Sequence, residues 1–241
     1  MSDAGSPRVA LALDSAGLGC SVAVSLGEEV VAEEHIDTMH GQAEALLLLV
    51  DKAMRMAGQV PAALDLVVAS VGPGSFTGIR AGLAAAHGIA LATGARLLGV
   101  TSFDAVAVRA ASDCSETRFL LVALERRRED LYIQFFDPHG EALREPAAIM
   151  PASFRGAVAA TIGVKPLLVA GDAAQRAAAA LAQRPATAVL EGSAPGAVGT
   201  LRAGLRLLRL GTAPKAPRPL YLRFPDVTLS DIRQKSSRST T

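Results

Sequence analysis

The chain has 241 residues, 50% of them hydrophobic and 20% charged, with a net charge of +1, so a sizeable core is affordable without global attraction for nucleic acid or membrane. Its two cysteines, Cys20 and Cys114, lack C-x-x-C spacing, which excludes a disulfide framework and a zinc ribbon. The start MSDAGSPR lacks a secretory pattern and no apolar run reaches the length of a membrane span, so a soluble, cytoplasmic protein with no membrane partner is expected.

From the N-terminus, RVALALD (8–14), CSVAVSL (20–26) and EVVAEEHI (29–36) read as strands, joined by SAGLG and by a tight Gly27-Glu28 turn. GQAEALLLLVDKAMRMAG (41–58) has helical composition and stops at Gly58, a suitable C′ residue. LDLVVASV (64–71) is a continuous apolar run of the buried-strand type. The glycine-rich string VGPGSFTG (71–78) then opens the helix IRAGLAAAHGIAL, followed by the strand ARLLGV and a helix over 102–111 capped by Thr101 or Ser102.

The second half repeats this order of elements without repeating the sequence. RFLLVALE (118–125), DLYIQFFD (130–137) and EALREPAAI (141–149) read as strands. They precede a helix at PASFRGAVAATIG, a strand at PLLVAG (166–171), a helix at DAAQRAAAALAQ (172–183), a strand at TAVL and a helix over 195–210. Two copies of three strands followed by α/β units predict a duplicated, two-lobed α/β protein. The polar stretch SDCSET (112–117) marks the boundary, giving an N-terminal lobe 1–112, a C-terminal lobe 113–211 and a tail 212–241, part of it compositionally disordered. From Pro214 onward six basic residues face two acidic ones, so the tail carries +4 and the remainder −3.

Glycine-rich loops at helix starts often bind phosphate, because the first helical N–H groups are unpaired. A Walker A loop fails here, since Gly78 is followed by Ile79 and Arg80 where Lys-Ser/Thr is needed. A dinucleotide loop fits poorly: the spacing is G-x-G-x-x-x-G after the fourth strand, with no acid suitably placed beyond it. The plain alternative is a strand-to-helix connection in which Pro73 and Gly74 turn the chain and Ser75 or Thr77 caps the helix. Gly78, Gly82 and Ala86 then form a strip with almost no side chains, against which another helix or strand could pack closely.

Asp14 ends the first strand and precedes a polar turn, an arrangement that holds Mg²⁺-phosphate in kinase-like ATPases, with Ser15 donating to phosphate. An ordinary hairpin with Asp14 bonded to its own turn explains the same residues. His40 has Glu44 one turn later and no second histidine; His35, His87 and His139 are scattered. This pair reads as a polar helix start, and no metal or catalytic residue is assigned.

The strings LALDSAGLGCSVAV, VGPGSFTGIRAGLAAAHGIAL and LLGVTSFDAVA, with PLYLRFPDV (219–227) in the tail, resemble the TsaB (YeaZ) family of the glycoprotease-like superfamily. The likeness is close over 8–110, weaker to about 211, and returns in the tail. The resemblance implies the duplicated actin-like ATPase, sugar kinase and Hsp70 (RNase H-like) fold. It also implies a non-catalytic scaffold subunit in threonylcarbamoyladenosine formation on tRNA. Implied partners are the catalytic paralogue TsaD, the ATPase TsaE, tRNA indirectly through the complex, and a second copy of the chain when TsaD is absent. No cofactor is implied for this chain; ATP or ADP and Mg²⁺ belong to the complex.

The resemblance assigns the partner and dimer interface to the helices over 41–58 and 76–93, hence to His40, Glu44, Leu47, Leu48, Phe76, Arg80, Gly82 and Leu83. The first of these helices is apolar over much of its circumference and so has to bury more than one face, against its own core or a partner. Asp14, Ser15, Gly72, Gly74 and Ser75 would be a vestigial nucleotide site. Where relatives open the second lobe with an Asp-Ala-Arg-type stretch, this chain has Leu124-Glu125-Arg126-Arg127-Arg128-Glu129-Asp130, leaving Glu125 as the acid there. The competing expectation is an active small-molecule kinase or ATPase using Asp14 and the GPGSFTG loop. Protease activity is not expected, for no nucleophile–base pair is in sight.

Overall fold

The computed structural model describes residues 7–38, 42–111, 118–125, 128–211 and 217–222. His40, the boundary at 112–117, Arg126, Arg127 and the basic end of the tail lie outside the described residues.

Strands β1 (Val9–Asp14), β2 (Cys20–Leu26), β3 (Glu29–Ile36), β4 (Leu66–Ser70) and β5 (Arg96–Val100) form one sheet in the order β3-β2-β1-β4-β5. β1 pairs antiparallel with β2 and parallel with β4, and β5 continues the parallel side. The second sheet contains β6 (Phe119–Leu124), β7 (Leu131–Phe136), β8 (Ala147–Ile149), β9 (Leu167–Ala170) and β10 (Thr187–Val189), in the order β10-β9-β6-β7-β8. Antiparallel β6–β7–β8 and parallel β6–β9–β10 reproduce the topology of the first sheet. The repeated element order is therefore a repeated fold.

Every residue of β1 and β4 is buried, so both faces of the first sheet need cover. Helices α1 (Gln42–Met56) and α2 (Phe76–Thr93) cover one face through Leu46, Val50, Ile79 and Leu83. The other face is covered from the far end of the chain: α6 (Ala197–Arg209) lays Leu201 and Leu205 against Ala10, Ala12 and Val68. Conversely α3 (Ser102–Ala111) leaves the first sheet and packs Phe103 and Val106 on Leu120, Val122 and Phe136 of the second. Helices α4 (Phe154–Ile162) and α5 (Ala174–Ala180) cover the remaining face. The stretches 1–112 and 113–211 thus exchange a helix each, and α3 and α6 meet so closely that a Cβ on Gly199 would strike the Ala105 carbonyl.

The expected strand EALREPAAI shrinks to its last residues. Ala142 makes one isolated bridge to Phe136, the Arg144 carbonyl accepts from Gln134 Nε2 at 3.2 Å, and Pro146 has no N–H for a ladder. Among the described residues no helix is long and apolar enough to cross a membrane.

Candidate functional site

The turn after β1 and the loop after β4 lie against each other. Asp14 is 4% exposed, and both of its oxygens are taken. Oδ1 accepts from the Ala16 N–H at 2.9 Å and Oδ2 from Thr200 Oγ1 on α6 at 3.2 Å. Burial pushes its carboxyl above the usual range, and the two hydrogen bonds pull it partly back. Ser15 Oγ donates to the Gly78 carbonyl at 2.7 Å, inside the first turn of α2. The Ser75 N–H donates to the Ala16 carbonyl at 2.7 Å, and a Cβ on Gly74 would run into that same carbonyl. Ser75 is the cap of α2, its Oγ accepting from the Gly78 N–H at 3.2 Å.

Gly72 sits at φ +92°, a conformation that needs glycine, before a cis bond to Pro73. Its carbonyl accepts from the Ser102 N–H at 2.7 Å and that of Pro73 from Ser102 Oγ at 3.1 Å, so the start of α3 secures the loop. The capping of α3 itself is reciprocal: Thr101 Oγ1 accepts from the Asp104 N–H while Asp104 Oδ2 accepts from the Thr101 N–H. The five residues grouped as a nucleotide site are brought together, but each is held by other parts of the protein: Ala16, Gly78, Ser102 and Thr200. Mg²⁺-phosphate does not fit this arrangement, because the carboxylate is engaged on both sides and the serine hydroxyl is spent on the helix.

The corresponding turn of the second sheet is likewise closed by protein. The Glu125 N–H donates to Asp172 Oδ1 at 2.7 Å, and the Glu125 carboxylate pairs with Arg176, whose Nη2 also donates to the Glu129 carbonyl at 3.0 Å. Burial raises the Asp172 carboxyl, with the Glu125 charge adding to the rise and the Glu125 N–H opposing it. Arg176 holds the place where an acid-and-phosphate turn would need an open carboxylate. No group of three His, Cys, Asp or Glu able to hold a metal occurs among the described residues.

The two candidate interface helices divide their residues unequally. On α1, Leu46, Val50, Ala53 and Met54 enter the core, while Glu44 is exposed and Leu47 and Leu48 are 54% and 72% exposed. On α2, Phe76 and Arg80 face outward. Gly82 and Leu83 require a correction: both are buried, because the Gly78–Gly82–Ala86 strip turns inward under the Ser15 turn. A Cβ on Gly82 would collide with Ser15 Oγ. The exposed face of α2 runs instead through Thr77, Arg80, Ala84, Gly88 and Leu91, the last 88% exposed. Ala84, Gly88 and Leu91 were readable as the strip offset from the glycines, but periodicity of small residues does not say which of two strips faces in.

Tyr221, which no local signal in the string PLYLRFPDV sets apart, also belongs to this face. The segment 217–222 folds back onto the loop: the Leu220 N–H donates to the Val71 carbonyl at 2.8 Å, and the Tyr221 hydroxyl accepts from Arg80 Nε at 3.1 Å.

Residues 37–158, half of the chain, match the family described as TsaD: tRNA N6-adenosine threonylcarbamoyltransferase. An uncharacterized protein of Mycobacterium tuberculosis is 32% identical over 203 residues, covering 84% of this chain and 82% of its own. The Escherichia coli tRNA threonylcarbamoyladenosine biosynthesis protein TsaB is 30% identical over 128 residues, about half of either chain (51% and 52%). A Pseudomonas aeruginosa structure described as similar to peptidase YeaZ superposes with a TM-score of 0.74 at 25% identity, covering 89% of this chain and 99% of that one. A Thermus thermophilus ROK hexokinase shares the fold alone, at a TM-score of 0.50 and 15% identity over 84% of this chain and 99% of that one. With two sheets of one topology and these likenesses together, the chain belongs to the TsaD family, in its TsaB (YeaZ) branch, with the duplicated actin-like fold.

Proposed function

We propose that this chain is the non-catalytic subunit of the assembly that places threonylcarbamoyl on the adenosine beside the tRNA anticodon. It associates with the catalytic TsaD paralogue and, through the assembly, with the ATPase TsaE and with tRNA. A second copy occupies the same face when TsaD is absent, and the assembly works in the cytoplasm. The observation that carries this reading is the outward apolar face on adjacent helices, with Leu47 and Leu48 on α1 and Leu91 beside Ala84 and Gly88 on α2. Large exposed aliphatics next to small residues suit a close helix–helix contact with another protein. The ATP or ADP and Mg²⁺ of the reaction are held by the other subunits.

A kinase or ATPase activity of this chain would need Asp14 free, and the Ala16 N–H and Thr200 hydroxyl speak against that. The test is co-purification with the TsaD paralogue of the same organism, with tRNA modification assayed with and without this chain. Association and a modification yield that depends on the chain are expected. Full modification in its absence would overturn the proposal, as would MgATP turnover by the isolated chain that Asp14→Asn removes.

A further inference from the structure

The segment 217–222 belongs to no helix or strand, and its side chains divide between the core and the surface. Leu220 packs against the core beneath α1 and α2, and Leu222 against the core between α3 and the second sheet. Pro217 lies on β5, close enough that a Cβ on Gly99 would approach it at 2.9 Å. Tyr221, between the two anchoring leucines, faces outward onto the start of α2. Its ring centroid is 5.5 Å from that of Phe76, and its hydroxyl accepts a hydrogen bond from the Arg80 Nε–H at 3.1 Å. The Arg80 guanidinium carbon is 3.7 Å from the Phe76 ring centroid.

Arg80 is therefore stacked on one aromatic ring and hydrogen-bonded to the residue carrying a second, while its outer Nη1 and Nη2 groups meet no acceptor among the described residues. A guanidinium presents these N–H groups as a rigid fork suited to a carboxylate. A surface arginine ordinarily gives up side-chain freedom on binding, and one fixed beforehand loses less. The exposed neighbours on α1 and α2 include Leu47, Leu48, Ala84, Gly88 and Leu91. The same face of α1 also exposes Glu44, Asp51, Lys52 and Arg55, charges of both signs, where a nucleic-acid backbone would call for a row of lysines and arginines.

We infer that Tyr221 is a positioning residue of the association face: the strap 217–222 holds Arg80 so that its outer edge receives a carboxylate of the protein partner. This rests on the association proposed above and concerns one contact within it. The test is calorimetric titration of the full-length chain with the TsaD paralogue of the same organism, at low and high salt. Arg80→Glu weakens binding by about tenfold or more and flattens its salt dependence. Arg80→Lys and Tyr221→Phe each weaken it several-fold, and the double variant is no weaker than the worse single, because both act through one contact. Tyr221→Phe keeps the ring on Phe76, so its melting temperature stays that of the parent.

If Leu47→Asp abolishes binding while Arg80→Glu and Tyr221→Phe leave affinity and salt dependence unchanged, this inference falls and the association stands. A parent chain that does not bind at all removes both. An Arg80→Glu variant with unchanged protein affinity but reduced retention of tRNA on a filter overturns the inference in favour of a phosphate contact.

Discussion

Asp14 ends the first strand with its carboxyl sealed beneath α6, and the direction of its shift fixes how stability responds to pH. Burial raises its folded-state pKa above that of the unfolded chain, about 3.9. Between the two values the folded protein holds a proton that the unfolded chain has released, so this residue's contribution is greatest below the unfolded pKa and falls as pH rises. Asn at this position keeps the shape without the charge. Melting curves of Asp14→Asn and parent should therefore move apart in the variant's favour as pH rises above about 4. A difference independent of pH would show that burial does not govern this carboxyl. Gly82 gives a second residue-level expectation. Its hydrogen points at Ser15 Oγ, so Gly82→Ala should destabilise by about 1–3 kcal/mol. The same change made on a Ser15→Ala background should cost measurably less, since the Ser15 Cβ lies at an ordinary 3.6 Å from the added atom. Chemical denaturation of the four proteins in that cycle measures the coupling.

Among the elements, α1 and α2 carry the association proposal, and they separate surface effects from core effects. Leu47→Asp and Gly88→Arg alter exposed positions, the latter with nothing within 4 Å of an added Cβ. Both should abolish association with the partner while the melting temperature stays within a few degrees of the parent, as light scattering and calorimetry would record. A retained complex in both variants would move the interface elsewhere. Much of this was legible beforehand. Strand-like runs bounded by turns located β1, β2 and β3, a continuous apolar run located β4, and the pairs Ser75/Thr77 and Thr101/Ser102 marked the starts of α2 and α3, where Ser75 and Thr101 are the residues that cap. The sequence also marked both ends of the phosphate-like arrangement, Asp14 and the GPGSFTG loop. What it withheld was where those groups point. Whether Asp14 opens to solvent depends on Thr200, 186 positions away, and which strip of α2 faces inward depends on Ser15. Such long-range contacts leave no periodic trace. The tail string was recognisable, yet nothing local reveals that Tyr221 folds back on Arg80.

On the scale of the whole molecule, the exchanged helices bind the two sheets into one unit. α6 covers the first sheet and α3 the second, so neither half can complete its core alone. Calorimetry should show a single unfolding transition, and Leu201→Ala, at a fully buried position on α6, should lower stability by about 2–5 kcal/mol without splitting it. Two resolved transitions would mean that the halves unfold independently. The exchange also sets an order of events at the ribosome. β1 to β5 emerge first, with one sheet face made of Ala10, Ala12, Val68, Leu98 and Val100 and no helix yet translated to cover it. At about 5–20 residues per second, the roughly hundred residues before α6 keep that face bare for several seconds of synthesis. The nascent chain passes through this interval as a substrate for chaperones, a vulnerability that the finished fold no longer shows.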